Sequence, residues 1–246
     1  MKSFYYLLLL IALGCSSPGN ESKKELVFHT TEFSAESCED EKCAKVFVSY
    51  PVAAETEVGK RINDEVMNHL MVYFRQDTVF ADLKTASDDF IQSYEEFKKD
   101  FPDAPGEWFN TINATKTYES DSLVSIEFSS SDFSGGAHPN SSVNYLIFSK
   151  TKGELLSKDQ FILDQDKLLE KTRIAFREFH DIPMGVTIAE DDRFFIPETG
   201  FFLPSAMGYE GDTFYLTYNP YEIGPYALGY TDLEIPLSEL NGIVRK

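Results

Sequence analysis

The chain has 246 residues, and its 41 acidic against 22 basic side chains give a formal net charge of −19 at pH 7. This charge argues against binding to nucleic acid or to anionic membrane surfaces, and it favours a basic protein partner or no charged partner. The length suits one domain, or two closely packed subdomains, with a substantial hydrophobic core.

Residues 1–14 have the pattern of a signal peptide. Lys2 precedes the apolar run Phe4–Leu13, which at about 1.5 Å per residue is too short to cross a hydrocarbon core of about 30 Å. The tetrad Ala12–Cys15 resembles a bacterial lipobox, which implies cleavage before Cys15 and acylation of that cysteine. We therefore expect residues 15–24 to be a lipidated tether that alone anchors the chain to a membrane. The alternative is a plain secretory signal with an incidental cysteine.

Two further cysteines, Cys38 and Cys43, remain once Cys15 is assigned to the lipid. An even remainder in an exported chain favours a disulfide. A zinc site is the alternative, but it needs two more ligands, and the nearest histidine, His29, has no partner at metal spacing. We therefore predict a Cys38–Cys43 disulfide, no metal and no cofactor.

The N-terminal part is predicted to contain two strands followed by two helices. Glu25–Phe33 and Lys45–Pro51 alternate in the manner of strands. Apolar residues then recur at every fourth position over Val58–Phe74, which indicates an amphipathic helix. A second helix is predicted to begin at Ser87 or Asp88 and to end near Asp100, because polar caps and basic residues stand at the appropriate ends.

From Trp108 the pattern becomes mainly that of strands. Elements are predicted at Trp108–Tyr118, Leu123–Ser129, Val143–Lys150, a helix Asp166–Phe179, Arg193–Ile196, Thr199–Leu203, Ala206–Tyr209, Thr213–Tyr218, Thr231–Ile235 and a helical turn Pro236–Leu240. Because helices and strands fall in blocks, we predict an α+β fold, a mainly antiparallel sheet packed against about three helices. Residues 25–105 and 106–246 are the predicted subdomains.

Two irregular strings are candidates for function. In Gly135–Asn140, His138 either takes part in binding or acid–base chemistry, or is a loop histidine hydrogen-bonded to a tyrosine. Tyr218–Gly229 combines three tyrosines, two prolines and two glycines, a mixture that no regular element tolerates. Its rings form either an interface or sugar-stacking surface, or part of the core. The candidate partner-binding residues are Gly135, Gly136, His138, Asn140, Tyr218, Tyr221, Glu222, Tyr226 and Tyr230.

The sequence contains no recognisable catalytic template. A Gly-x-Ser-x-Gly elbow, a His-Glu-x-x-His helix, a Walker-type loop and an EF-hand loop are all missing. The acidic pairs Asp88-Asp89 and Asp191-Asp192 could contact calcium, but helix caps and solvated loops explain them better. The chain has so many carboxylates that the sequence does not identify two of them as a glycosidase pair. We predict a non-catalytic protein, with a hydrolase centred on His138 as the remote alternative.

These strings are similar to the extracellular domain of RsiV-like proteins, which also precedes the deacetylase in PdaC-type peptidoglycan enzymes. The resemblance rests on Gly135–Asn140 with Val143–Phe148 and Lys152-Gly153-Glu154, on the helix from Asp166, on Tyr218–Gly229 and on Glu234–Leu240. It covers Tyr50–Leu240 and implies an exported α+β module of the cell envelope. In the RsiV branch, the domain binds lysozyme and triggers release of a sigma factor.

The chain departs from both branches of that family. It shows neither a transmembrane helix with an anti-sigma segment before the domain nor the metal-binding and catalytic strings of the deacetylase. The resemblance therefore implies the binding module alone. We expect a monomeric lipoprotein of the bacterial envelope, periplasmic or anchored at the outer membrane, that engages a basic protein such as a lysozyme-like muramidase. The alternative is a module that binds peptidoglycan fragments or other glycans through its tyrosines.

Overall fold

The computed structural model describes residues 26–39, 42–74, 77–104 and 106–246. The predicted signal peptide, Cys15 and the tether at 15–24 lie outside these residues. In the described ranges, eight strands form a five-stranded and a three-stranded sheet, which pack with three long helices. The predicted α+β class is confirmed. None of the helices in this part of the chain is long and apolar enough to span a membrane.

The five-stranded sheet follows the order of its strands along the chain. These strands are β1 (Phe28–Glu39), β2 (Lys42–Ala53), β3 (Trp108–Glu119), β4 (Leu123–Phe133) and β5 (Asn140–Ser149). Neighbours run antiparallel except β2 and β3, which are parallel. Parallel neighbours need a long crossover connection, and two helices supply it here. Both end strands, β1 and β5, are therefore edges of the sheet.

The predicted Cys38–Cys43 disulfide is present. It joins two residues that lie directly opposite each other at the end of the β1–β2 hairpin, with their Cα atoms 4.1 Å apart. A disulfide that closes so short a loop restricts the unfolded chain only modestly and stabilises the fold by about 2 kcal/mol.

The predicted division of the chain between residues 105 and 106 is wrong. β2 and β3 lie on either side of that point and pair in one sheet, and their buried residues Val48 and Ile112 belong to one hydrophobic core. The change from the larger sheet to the smaller one comes after β5, beyond Ser149. The Pro- and Gly-containing stretch that suggested the boundary follows a helix that packs on this sheet and precedes β3 in the sequence.

Two helices cover one face of this sheet. α1 (Glu57–Val72) buries Ile62, Val66 and Leu70, as the four-residue spacing predicted. α2 (Leu83–Asp100) begins earlier than predicted, because Asp82 caps it: the Asp82 carboxylate accepts a hydrogen bond from the Thr85 backbone N–H at 2.8 Å. Ser87, the predicted cap, is instead a buried residue within the helix.

The second half of the chain builds a smaller layer around an aromatic core. After the short α3 (Lys158–Phe161) comes α4 (Gln165–Phe179), and then the antiparallel strands β6 (Ala206–Glu210), β7 (Thr213–Tyr218) and β8 (Thr231–Pro236). The core of this layer includes residues from α4, from the three strands and from the last turn of the chain, where a 3-10 helix covers Leu237–Leu240.

The short strands predicted at Arg193–Ile196 and Thr199–Leu203 are wrong. These residues are irregular, and two of their phenylalanines pack into the core instead of lying in paired strands. Phe194 and Phe201 lie with their ring centroids 4.9 and 5.1 Å from that of Phe176 on α4. The aromatic content of these segments therefore reflects a loop that inserts side chains into the core.

The two sheets are joined through the face of β3–β5 that lies opposite α1 and α2. The Thr117 hydroxyl donates to the Tyr209 carbonyl at 2.6 Å, and the Tyr209 N–H donates to the Ser125 hydroxyl at 3.2 Å. Beside these bonds the ring of Tyr145 on β5 lies directly against Gly208 on β6. This junction fixes the position of the loop Tyr218–Gly229 relative to the β4–β5 loop.

Candidate functional site

The β4–β5 loop carries the first candidate string at one end of the larger sheet. Gly135 and Gly136 are exposed and have φ angles of 102° and 111°, a backbone conformation that other residues rarely adopt. Asn140 begins β5, and its amide donates to the Asp132 carboxylate at 3.3 Å across the end of the hairpin. These three predicted site residues shape the loop that presents His138.

The structure brings His138 together with two of the predicted tyrosines. Its ring stacks on Tyr226 with centroids 3.6 Å apart and an angle of 15° between the planes, and its Nε2 lies 3.2 Å from the Tyr221 hydroxyl. The Tyr226 hydroxyl donates to the Pro139 carbonyl at 3.1 Å. We call His138, Tyr221 and Tyr226 the aromatic patch. Tyr221 has a φ of 70° and is 59% exposed, so its ring faces solvent.

Tyr218 does not belong to this surface, and its predicted role in partner binding is wrong. Its side chain is fully buried, packs against Phe176 with centroids 5.5 Å apart, and donates a hydrogen bond to the Phe202 carbonyl. Burial, followed by the charge of Glu222, raises the pKa of the Tyr218 hydroxyl. The ring anchors the start of the loop in the core of the smaller layer.

Glu222 and Asn219 fold the loop behind the aromatic patch. The Glu222 carboxylate accepts hydrogen bonds from the backbone N–H groups of Asn219 at 2.9 Å and Ser205 at 2.5 Å. The Asn219 amide accepts from the Val143 N–H at 2.7 Å and donates to the Val143 carbonyl at 3.0 Å. Glu222 is therefore a structural residue, and Asn219 fastens the loop to the edge of β5.

Tyr230 connects the aromatic patch with a group of carboxylates. Its side chain is half-buried, and its pKa is raised by burial first and then by Asp232 and Tyr226. A hydrogen bond with Ser141 at the start of β5 opposes this increase. Tyr230 therefore interacts electrostatically with both Tyr226 and Asp232.

Four carboxylates form what we call the acidic cluster: Glu127, Glu210, Asp232 and Glu234. They come from β4, β6 and β8, and after burial all four raise the pKa of Tyr215. The pKa of Glu127 is raised by its burial and then by Glu210 and Asp232, although the Tyr145 hydroxyl donates to its carboxylate at 3.2 Å. The cluster therefore concentrates negative charge where the two sheets meet.

The raised pKa of Glu127 has a consequence for stability. Because the folded-state pKa lies above the unfolded one, the folded protein loses stability as the pH rises between the two values and remains less stable at neutral pH. We expect Glu127→Gln to raise the free energy of unfolding at pH 7 by about 0.5–1 kcal/mol, with screening by solvent included. The gain should vanish below about pH 4.3.

Urea unfolding at several pH values measures this effect. Glu234→Gln is the matched control, since Glu234 belongs to the same cluster but is exposed, and we expect it to change stability less. A Glu127→Gln variant that is less stable than the parent at pH 7 would show that the hydrogen bond from Tyr145 outweighs the repulsion.

His138 contacts a backbone carbonyl and a tyrosine hydroxyl. Its Nδ1 lies 2.9 Å from the Pro139 carbonyl, and its Nε2 faces the Tyr221 hydroxyl. Within the described ranges no carboxylate contacts this ring, and no group of three His, Cys, Asp or Glu residues is placed to hold a metal ion. One of the two predictions for His138 was a loop histidine that is hydrogen-bonded to a tyrosine, and Tyr221 is such a partner.

Sequence reasoning missed Asn219 and the acidic cluster. One signal was present for the cluster: in β8, Asp232 and Glu234 alternate with the buried Leu233 and Ile235, which places both acids on one exposed face. Glu127 alternates in the same way on β4. Asn219 had no such signal, because its partner Val143 is 76 residues away in the sequence.

The chain resembles known families in both halves. Residues 37–141 match the family described as Deacetylase PdaC, and residues 158–238 match a protein family of unknown function, DUF3298. No curated protein sequence matches the chain.

The solved structures that share its fold include two crystal structures. A DUF3298 family protein from Pseudomonas aeruginosa PAO1 is 20% identical, with a TM-score of 0.66 over 91% of this chain and 96% of that one. A DUF3298 family member from Bacteroides fragilis NCTC 9343 is 14% identical, with a TM-score of 0.66 over 90% and 94%. The resemblance predicted from the sequence is confirmed: the chain contains a PdaC-type domain followed by a DUF3298 domain.

Proposed function

We propose that the protein is a non-catalytic, lipid-anchored binding protein of the cell envelope that engages a basic protein such as a lysozyme-like muramidase. The observation that carries this proposal is the aromatic patch, in which two separate strings bring the ring of His138 against Tyr226 and next to the exposed Tyr221. In this proposal, Cys15 is the residue that carries the lipid. The compartment agrees with the Cys38–Cys43 disulfide, since such bonds persist in oxidising surroundings.

The aromatic patch has the chemistry of a contact surface for cationic side chains. Tyr221 offers an exposed ring with a polar tip, and the stacked pair His138–Tyr226 offers a preformed flat face. Arginine and lysine bind over such faces, and tyrosine is enriched at the centre of protein interfaces. Little side-chain mobility is lost on binding, because the hydrogen bonds to Pro139 already hold His138 and Tyr226.

The charge distribution fits a basic partner. The acidic cluster continues from Tyr230 along β8, and the whole chain carries a formal charge of −19. Opposite charges mainly accelerate association, so the effect should weaken as salt increases.

Binding of purified lysozyme to the acylated chain, measured by biolayer interferometry at low and moderate salt, tests the proposal. We expect Tyr221→Asn to weaken binding about tenfold or more, since it removes the exposed ring while asparagine tolerates the positive φ. Phe101→Asn is the matched control: Phe101 is 58% exposed but lies at the end of α2, outside the patch. Absence of binding at both salt concentrations would refute the proposal.

A peptidoglycan or glycan ligand is the second candidate. The observation in its favour is the flat stacked face of His138 and Tyr226 beside an exposed tyrosine. Calorimetric titration with soluble peptidoglycan fragments distinguishes the two ligands. Heat from the fragments that disappears in Tyr221→Asn, with no response to lysozyme, would favour the glycan.

A further inference from the structure

An open groove of about 500 Å³ lies on the side of α4 and shares no lining residue with the aromatic patch. It is lined mostly by apolar atoms between α4 and the irregular segment at 184–201. Its volume falls within the range of about 300–1,000 Å³ that is typical of small-molecule sites. Ile174 in its wall is 50% exposed and Met184 at its mouth is 97% exposed. Large apolar side chains are thus left in contact with water.

Two guanidinium groups also line this groove, although the chain as a whole is strongly acidic. Arg173 and Arg177 are four residues apart on α4, so both lie on the same side of the helix. Arg173 pairs with Glu170 at 2.5 Å. Arg177 donates to the carbonyls of Val186 and Pro183, each at 2.7 Å, and in the described ranges it forms no ion pair with a carboxylate.

The lining offers little to the backbone of a peptide. Arg177 already donates to carbonyl groups, so it offers a ligand its positive charge and not a free hydrogen-bond donor, and the Thr187 hydroxyl donates to Glu190 at 2.9 Å. A peptide laid in the groove would leave amide groups without partners, at a considerable free-energy cost. An acyl chain makes no such demand. A single anionic group at its end would complement the guanidinium charges.

We propose that the groove binds a single-chain anionic amphiphile, a free carboxylate of the fatty-acid type. The acyl chain lies against Ile174, Val186 and Phe201, and the carboxylate lies beside Arg173 and Arg177. This site is independent of the aromatic patch and of any protein partner.

Calorimetric titration of the full chain with laurate, kept below its micelle concentration, tests the site. We expect Ile174→Asp to weaken laurate binding about tenfold or more, because it places a charge in the apolar wall. Met184→Asp, at a fully exposed position, should also weaken binding and guards against misfolding of the first variant. Phe179→Asp is the matched control: Phe179 is equally exposed on the same helix but does not line the groove.

Dodecanol, the neutral counterpart of laurate, tests the role of charge. We expect it to bind more weakly than laurate, and Arg173→Gln to reduce the affinity for laurate alone. The proposal is overturned if laurate does not bind, if all three aspartate variants bind it equally well, or if laurate and dodecanol bind with equal affinity.

Discussion

Replacing Tyr218 with alanine is expected to lower the free energy of unfolding by about 3–5 kcal/mol. The side chain is fully buried among Phe176, Phe201 and Phe202, so its removal leaves a large cavity in the aromatic core. The loop Tyr218–Gly229 should also lose its anchor, which displaces Tyr221 and Tyr226. Urea unfolding followed by circular dichroism measures the loss.

Tyr218→Phe separates the hydroxyl from the ring. It keeps the packing and removes only the hydrogen bond to the Phe202 carbonyl, so we expect a loss of about 1–2 kcal/mol. A Tyr218→Ala variant that retains its stability while binding of a partner is abolished would show that this ring faces a partner, contrary to its burial.

Gly208→Ala is expected to destabilise the protein by about 3 kcal/mol, the upper end of the range for overpacking. A methyl group at this position would lie 2.1 Å from Cδ1, 2.2 Å from Cγ and 2.7 Å from Cβ of Tyr145. Because the base of the side chain is among the clashing atoms, rotation of the Tyr145 ring does not relieve the contact. The two sheets must therefore move apart or Tyr145 must leave its site.

Two further variants identify the cause of this loss. The double variant Gly208→Ala/Tyr145→Ala removes the clash, so its effect should be smaller than the sum of the single effects. Gly211→Ala, in the β6–β7 turn with a φ of 50° and open space around it, should cost only about 1 kcal/mol. Equal losses for Gly208→Ala and Gly211→Ala would indicate a general loss of backbone freedom and not a clash at the junction of the sheets.

Local patterns were sufficient for most elements of the fold. The spacing of Ile62, Val66 and Leu70 identified α1, and strict alternation identified β4, because each pattern records which face is buried. The beginning of α2 was misplaced because Ser87 and Asp88 match a cap as well as Asp82 does. Only the hydrogen bond from Thr85 distinguishes them, and this bond depends on the folded chain.

The composition of the site was more predictable than its geometry. The two strings were identified by their glycine, proline and tyrosine content, but the contact between Tyr226 and Pro139 spans 87 residues. The composition could not show which tyrosine turns inward. Tyr218 continues the buried face of β7, whereas Tyr221 lies in a turn and adopts a positive φ.

The hydrogen bonds of Asn219 have a consequence for solubility. β5 is an outer strand, and an unpaired outer strand is a template for pairing with another chain. The Asn219 amide occupies the N–H and carbonyl of Val143, and at the other end Glu154 and Leu156 occupy the Ser149 N–H and the Ile147 carbonyl. The loop that presents Tyr221 and Tyr226 therefore also shields this strand, and any opening of it would expose a surface for self-association.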